Sequence, residues 1–413
     1  FIKNAFISVK VKIKTDGKEK SEPVRLYGKL NSQPRPEDNF YDKKDNIGMY
    51  DKASETYLYG FEYSPCQLNM NDTVNIKLVG IEGKSNYTLT VNYNYLKNYK
   101  VLCTTGETPP LLEYSASVST ILGTISYGGK SNNTISDDVY LLNGTRWEKI
   151  FFNNEGPKVY GHFMTEYNNH LIVFGGKNQS EDSTNELWLF DIIYKNWINI
   201  DYHNRTNIPK AKFLPSGEII QNHGRLMIYG NSDSEDKNIY FLNLKILFEI
   251  IEFMKNPNSN FDYLTKLHNL WHIVENQNIL PRYGLSITHL GGDEVMLYGG
   301  FDISGYSLSR IEILNIMTMN VEVIESHSNT EFPGARGFHN ILKMGSILML
   351  YGGKTGSGQN LNDLWKFIIY NKKWVKVNEI KDDMFYLYKS KFIFTKMNGN
   401  ERPVLFGGED NKD

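Results

Sequence analysis

The sequence has very few cysteines. Among 413 residues there are two, Cys66 and Cys103, and both lie in the first quarter of the chain. The rest of the chain therefore has no thiol for a disulfide, a metal site or a cysteine nucleophile. Two interpretations of the pair remain open: one disulfide in an extracellular N-terminal domain, or two buried thiols.

Long apolar runs and an excess of one charge are also missing. The nearest approach to an apolar run, residues 246–253, is too short to span a membrane and contains Glu249 and Glu252. The net charge is −2, from 45 basic and 47 acidic side chains, so no global field attracts nucleic acid or an anionic membrane surface. We therefore expect no nucleic-acid partner and no membrane contact by this region itself.

Motifs for catalysis are absent as well. The chain has no Gly-x-Ser-x-Gly motif, and the glycine-rich segment 353–358 lacks the spacing of a phosphate-binding loop. His162 and His339 occupy equivalent positions before two predicted strands, which packing explains better than ligand binding. We predict a protein that is not an enzyme, with no cofactor and no metal site.

The chain is rich in aromatic residues, with 27 Tyr and 22 Phe, and short apolar runs alternate with turn residues. One run, such as Met349-Leu-Tyr-Gly352-Gly353, recurs at intervals of about 47 to 55 residues, with one interval of about 70. The copies lie at residues 125–129, 172–176, 227–230, 296–300, 349–353 and 404–408. Such a period indicates an all-β protein built from repeated blades.

Other elements recur around the paired glycines. Trp188 and Trp197 are spaced like Trp365 and Trp374, and Trp147 and Trp271 are expected to close two further blades. A proline follows the last strand of each of four repeats, at Pro157, Pro209, Pro281 and Pro333. Residues 114–408 thus resemble a Kelch-repeat β-propeller, and six motif copies imply six blades with the last one incomplete. The propeller is predicted for residues 114–413.

One repeat is longer than the others. The interval between Gly230 and Gly299 predicts an insertion at residues 246–270, between the third and fourth strands of the third blade. Apolar residues at three- and four-residue steps predict a helix, with Asn258 or Ser259 as its cap. We expect it to project away from the loops that follow the paired glycines, and we expect Trp271 in the outer strand.

Residues 1–105 are predicted to form a small jelly-roll-like β-sandwich, joined to the propeller by a linker at residues 106–113. The predicted strands are 6–14, 24–30, 57–63, 75–79 and 87–95. The phrases Leu26-Tyr-Gly and Asn39-Phe-Tyr-Asp42, with the later strands, resemble the pre-peptidase C-terminal type of secreted domain. That resemblance implies an extracellular domain, and we therefore predict a disulfide between Cys66 and Cys103.

Two sets of residues are candidates for binding. The loops after the paired glycines, at 130–138, 177–185, 231–238, 301–310 and 354–362, should gather on one face and carry more acids than lysines. Their acids are Asp137, Asp138, Glu181, Asp182, Asp233, Glu235, Asp236 and Asp302. A basic protein partner would suit them, although solvated loop charges are the simpler interpretation. Arg282 and Arg336 either bond blade carbonyls or face the channel and bind a carboxylate ligand.

The domain order resembles that of attractin-like proteins and of the cysteine-repeat modular surface proteins of protozoan parasites. This resemblance implies a non-catalytic adhesion or protein-interaction module in a secreted or surface-anchored protein, and for the parasite proteins a role in host-cell invasion or regulated secretion. Asn-x-Ser/Thr sites, which would carry glycans in a secreted protein, begin at Asn71, Asn86, Asn132, Asn143, Asn178 and Asn204. The alternatives are a carbohydrate-active or oxidoreductase propeller and an intracellular, cytoplasmic Kelch adaptor.

Overall fold

A computed structural model describes residues 104–377, except 111, 132–133, 203–206, 258–260 and 326–330, together with the backbone of strands on either side. The chain divides into two compact units, Phe1–Thr104 and Thr105–Asp413. In the first unit, a four-stranded sheet has the order Met49–Asp51, Thr56–Tyr63, Ala5–Lys14, Asn86–Tyr95. A three-stranded sheet has the order Lys43–Lys44, Arg25–Leu30, Val74–Val79.

The short strands Ile2–Lys3 and Val101–Leu102 pair antiparallel in the same unit. These bounds follow the strands expected from the sequence, while the packing of the sheets as a sandwich remains a prediction. Cys66 and Cys103 lie outside the described residues, and so does their predicted disulfide. Across the described part of the chain, every helix is too short or too polar to cross a membrane.

The second unit contains five blades in its described part, each an antiparallel sheet whose strands follow chain order. Blade 1 has the strands Ala116–Thr120, Gly123–Tyr127, Val139–Asn143 and Arg146–Ile150. Blade 2 has Phe163–Tyr167, His170–Phe174, Leu187–Asp191 and Asn196–Asn199. Blade 3 has Ser216–Ile220, Arg225–Tyr229, Asn238–Asn243 and Trp271–Glu275.

Blade 4 has the strands Ser286–Gly291, Glu294–Tyr298, Ile311–Asn315 and Val321–Ile324. Blade 5 has Asn340–Met344, Ile347–Tyr351, Asp363–Ile368 and Lys373–Glu379. A β-propeller is therefore confirmed. As expected, a tryptophan opens or nearly opens the outer strand of four blades, and Val321 takes this place in blade 4.

The prediction of six blades is wrong for the described residues. The sixth glycine motif belongs to a two-stranded hairpin, Lys391–Met397 and Asn400–Phe406. Its first strand lies beside the first strands of blades 1 and 5, at the place where a sixth blade would begin. The motif marks only the second strand of a blade, and the hairpin matches the expectation that the last blade is incomplete.

The paired glycines join each blade to the next. In blade 4, Gly299 and Gly300 have φ of 65° and 95°, and a Cβ on Gly299 would lie 2.5 Å from the carbonyl oxygen of Arg336. The amide of Gly300 donates to that same carbonyl at 2.8 Å. The hydroxyl of Tyr298, just before the glycines, donates to Pro333 O at 2.9 Å. The recurring Tyr-Gly-Gly phrase is therefore an inter-blade joint.

The outer edges of blades 1 and 2 are covered by other parts of the chain. Thr105–Gly106 pairs in parallel with the outer strand of blade 1. In blade 2, the side-chain amide of Asn154 exchanges two hydrogen bonds of 2.8 Å with the backbone of Trp197, as a neighbouring strand would. Covered edges of this kind resist pairing with other chains.

The insertion in blade 3 is helical, as predicted, and Trp271 lies in the outer strand. Helices Leu244–Lys255 and Tyr263–His268 connect the third and fourth strands. The predicted cap is wrong: the second helix begins at Asp262, whose carboxylate accepts from Thr265 N at 3.1 Å. Buried Leu247 and Ile251 pack the first helix against blades 2 and 3, at the end of the blades that carries the tight turns.

Candidate functional site

The propeller has two chemically different ends. We call the end that carries the crossovers and the loops between second and third strands the loop face, and the opposite end the turn face. At the loop face, the residue two positions before the first strand of each blade has positive φ. These residues are Tyr114, Gly161, Leu214, Gly284 and Phe338. Amides of this set donate to carbonyls of the preceding blade, as from Gly161 to Tyr114 and from Phe338 to Gly284. This set holds the first strands in one circle around a channel.

Aromatic side chains surround this mouth of the channel. Tyr114, Tyr160 and Phe213 form one triad, with ring centroids 5.4 to 6.1 Å apart. A second triad, with centroids 5.5 to 6.0 Å apart, consists of Tyr283, Phe301 and Phe338. Four of these six side chains are only half-buried. We call the two triads the aromatic collar.

Most acids of the predicted set are engaged with lysines. The closest carboxylate and ammonium atoms of Asp137 and Lys158 are 3.1 Å apart, and those of Asp138 and Lys149 are 2.8 Å apart. Glu181 binds Lys130 and accepts from the hydroxyl of Tyr160. These two donors hold the pKa of Glu181 below its usual value.

Asp233 lies 3.5 Å from the ammonium of Lys177 and also accepts from Ser183. In the described part of the chain, Asp182, Glu235 and Asp302 have no ion pair. Asp302 shapes its own loop instead, because its carboxylate accepts from Ser304 N and Tyr306 N at 2.9 Å. The acidic excess of the loop face is therefore smaller than the sequence indicates.

Asp236 does not belong to the exposed set. Its side chain is 1% exposed and lies 2.7 Å from the ammonium of Lys212, which is fully buried. Burial opposes the charged carboxylate, but the attraction of Lys212 and hydrogen bonds from Lys212 and Tyr240 outweigh it and hold the pKa of Asp236 below its usual value. The assignment of Asp236 to a binding surface is therefore corrected, because it is an internal counterion.

Arg282 and Arg336 bond their own blades. Arg336 donates to Gly352 O at 3.0 Å and to the carboxylate of Asp363 at 2.7 Å. Arg282 donates to Gly299 O at 3.2 Å and pairs with Glu312, which also binds Arg310 at 3.0 Å. Both arginines are 1% exposed, so these contacts match the first of the two roles considered from the sequence.

His162 and His339 pack against the preceding blade. The ring of His339 lies 5.1 Å from that of Tyr298, edge on, and its Nε2 is 2.9 Å from Ser286 Oγ. Burial, with the nearby charge of Arg336, lowers the pKa of His339 to about 3. Among the described residues, no group of His, Cys, Asp and Glu has the arrangement of a metal site.

The channel itself is a cavity of about 440 Å³, lined by the first strands of all five blades. Glu218 is the one acidic residue among the described lining residues, which include no lysine or arginine. Burial raises the pKa of Glu218 to about 7. Neither Glu218 nor Lys212 was identified from the sequence. Lys212 could have been found by aligning Lys212-Phe-Leu-Pro-Ser with Arg282-Tyr-Gly-Leu-Ser, whereas Glu218 reads as an ordinary strand residue.

Comparison with known proteins agrees with this architecture. A family model described as the attractin/LZTR1 β-propeller matches residues 124–247. The chain is 25% identical over 237 residues to Kelch domain-containing protein 10 of Homo sapiens, covering 54% of this chain and 47% of that protein. It thus spans about half the length of that relative.

A second similarity is shorter. Putative protein tag-53 of Caenorhabditis elegans is 33% identical over 104 residues, which cover 22% of this chain and 8% of that protein. Together with the blade topology, these similarities support a Kelch-type β-propeller.

Proposed function

We propose that the propeller is a non-catalytic protein-binding module and that its loop face contacts the partner. The observation that carries this proposal is the half-buried aromatic collar, encircled by loops that rigid blades hold in place. Interface cores are enriched in aromatic residues, and loops on a rigid scaffold commonly carry binding. The Kelch-type fold supports a binding role by analogy only.

Exposed apolar side chains extend the collar. Ile303 is 51% exposed and Tyr306 is 72% exposed, both in the loop between the second and third strands of blade 4. A hydrogen bond of 3.0 Å from Gly356 N to Ser307 Oγ braces this loop against the next one. Two exposed apolar side chains on a braced loop would lose little entropy on binding.

Charge has a secondary part in the proposal. Asp182, Glu235 and Asp302 leave a small negative excess, which suits a partner with some basic residues. Such exposed charges affect the association rate and its salt dependence more than the affinity. Electrostatic attraction alone would therefore not hold the partner.

The test compares a variant of the loop face, at Ile303 and Tyr306, with a variant of the turn face, at Tyr370. Native partners are captured with tagged full-length protein and quantified by mass spectrometry. We expect Ile303→Ala with Tyr306→Ala to reduce capture of one reproducible partner more than tenfold. Tyr370→Ala, in the turn between the third and fourth strands of blade 5 and 82% exposed, is the matched control and should change nothing. Equal loss from both variants would contradict the proposed face.

A charge variant separates the two contributions. Neutralising Asp182, Glu235 and Asp302 as Asp→Asn and Glu→Gln should weaken capture only about two- to fivefold, with a smaller loss at high salt. A larger effect than that of Ile303→Ala with Tyr306→Ala would make the acidic loops the main contact. The amide in Asp302→Asn keeps the oxygen that shapes its loop.

Location is part of the same proposal. We favour an extracellular or surface-anchored protein involved in adhesion, and the intracellular Kelch adaptor is the alternative. Mass spectrometry of the native protein under non-reducing conditions distinguishes the two, because a disulfide between Cys66 and Cys103 is expected only outside the reducing cytosol. Glycans at Asn143, which is exposed at the end of the third strand of blade 1, would support the same conclusion.

A further inference from the structure

One level of the channel, near its middle, combines an acid with hydroxyl groups. The pairing of first and second strands places Glu218 in register with Thr165 of blade 2 and Thr288 of blade 4. The equivalent residues of blades 1 and 5 are Val118 and Leu342. All five residues line the cavity. At this level, an acid therefore lies between two blades that supply hydroxyl groups.

The fold provides little compensation for this carboxylate. One oxygen of Glu218 accepts a long hydrogen bond, 3.3 Å, from His289 N. The charge of Lys343 acts on Glu218, but the ammonium of Lys343 donates to His289 O and Leu290 O at 2.8 and 2.9 Å. In the described part of the chain, Glu218 has no ion pair. A carboxylate in such surroundings is costly without a counterion.

The packing of the blades does not require an acid here, because Val118 and Leu342 fill the same position in two other blades. The inner edge of a first strand also presents backbone C=O groups, together with N–H groups. Carboxylate, hydroxyl and carbonyl oxygens together accept hydrogen bonds from a cation that carries several N–H groups.

We propose that the channel binds an organic cation, a guanidinium or a primary ammonium, with Glu218 as its counterion. Glu218 is the middle residue of its five-residue strand, about 7 Å from either end. A long basic side chain of a protein, or a free polyamine, is long enough to reach Glu218 from a mouth of the channel. The proposed cation site uses Glu218 inside the channel and does not depend on the function proposed above.

The test uses calorimetry on the full chain at pH 8 with two probes, N-acetyl-arginine amide and spermidine. We expect saturable binding of at least one probe, weakened tenfold or more by Glu218→Gln. Glu235→Gln, an exposed acid of the same blade, is the matched control and should leave binding unchanged. Neutral N-acetyl-citrulline amide should not bind. Lowering the pH from 8 to 5.5 should also weaken binding about tenfold or more, because Glu218 then becomes protonated.

The probes distinguish the sources of the cation. Glu218-dependent binding of the arginine amide alone indicates a protein side chain, and Glu218-dependent binding of spermidine indicates a free polyamine. Binding that survives Glu218→Gln, or no saturable binding of either probe at millimolar concentration, would overturn the proposal. Ile303→Ala with Tyr306→Ala should leave probe binding intact. Failure of the proposed cation site is therefore distinguishable from failure of the proposed partner-binding face.

Discussion

Blades 1 and 2 differ from blades 3, 4 and 5 at one structural position. This position lies four residues before the first strand of each blade. Blades 3 to 5 carry Lys212, Arg282 and Arg336 there, each paired with a carboxylate of its own blade. Blades 1 and 2 carry Leu112 and Val159 at the equivalent place. The backbone contact is the same in both groups, because the carbonyls of Val159 and Lys212 both accept from the last glycine of the preceding motif.

The comparison shows that the ion pairs are not needed to form the joint between blades. An apolar side chain, Leu112 or Val159, occupies the same position in blades 1 and 2. Once a buried carboxylate is present, however, its counterion becomes necessary, because an unpaired charge in the interior is strongly unfavourable. The two groups of blades therefore predict a large cost for removing one partner and a small cost for removing both charges.

The largest effect is expected for Glu312→Gln in blade 4. Glu312 and the side chain of Arg282 are both fully buried, and Glu312 also binds Arg310. The variant leaves buried Arg282 without a carboxylate, so we expect the free energy of unfolding to fall by about 3–5 kcal/mol. Urea unfolding followed by tryptophan fluorescence measures this, since all six tryptophans lie in the propeller.

Glu322→Gln is the control for this measurement. Glu322 belongs to the same blade, but its pair with Lys372 at 2.6 Å is solvent-exposed. Its loss should cost less than about 1 kcal/mol. Similar destabilisation by both variants would mean that burial does not set the cost of breaking a pair.

A second prediction converts blade 3 toward the chemistry of blade 2. Lys212→Met alone leaves Asp236 buried and unpaired, and should cost about 3 kcal/mol. Adding Asp236→Asn removes the charge, keeps an acceptor oxygen for Asn238 N and places an amide N–H where it can donate to the hydroxyl of Tyr240, so the double variant should return to within about 1 kcal/mol of the wild type. The same unfolding experiment measures both variants, and a double variant as unstable as the single one would show that blade 3 requires its ion pair.

The stability of the wild-type protein should also depend on the charge of Asp236 when the pH is lowered. Because the folded-state pKa of Asp236 is lowered, its stabilising contribution is complete above the ordinary aspartate pKa of about 3.9 and is lost as the pH falls through the lowered value. The double variant lacks this loss. Unfolding midpoints measured between pH 5 and pH 2.5 test the difference.

Local patterns accounted for the fold better than for the site. The glycine pairs, the spaced tryptophans and the helical insertion were predictable, because each depends on residues close in sequence. The way in which the last blade is completed was not, since the motif at 404–408 identifies one strand and says nothing of its neighbours. Asp236 was misplaced for a related reason: an aspartate among serines reads as a loop residue, and its burial depends on Lys212, 24 residues away.

Glu218 illustrates the same limit within a strand. Ser216–Ile220 is a short strand of blade 3, but only the circle of first strands shows that its middle residue lines a channel. The aromatic collar likewise combines residues of five blades that no single repeat contains. Burial inside one blade follows from the sequence pattern, whereas contacts around the axis follow from how the blades assemble.

The smallest effect is expected at Glu218, where one blade carries an acid and blades 1 and 5 carry Val118 and Leu342. Burial raises the pKa of Glu218 from its ordinary value of 4.5 to about 7. The folded state therefore binds this proton more tightly than the unfolded state, and stability falls as the pH rises from about 4.5 to 7. Glu218→Gln should be more stable than the wild type by about 1–2 kcal/mol at pH 8 and equal to it near pH 4.5, because the side chain is only half-buried. Thermal unfolding at the two pH values measures this. A variant that is less stable at pH 8 would show that the carboxylate supports the fold, whereas a gain in stability combined with lost cation binding would identify a position where the fold gives up stability for a ligand.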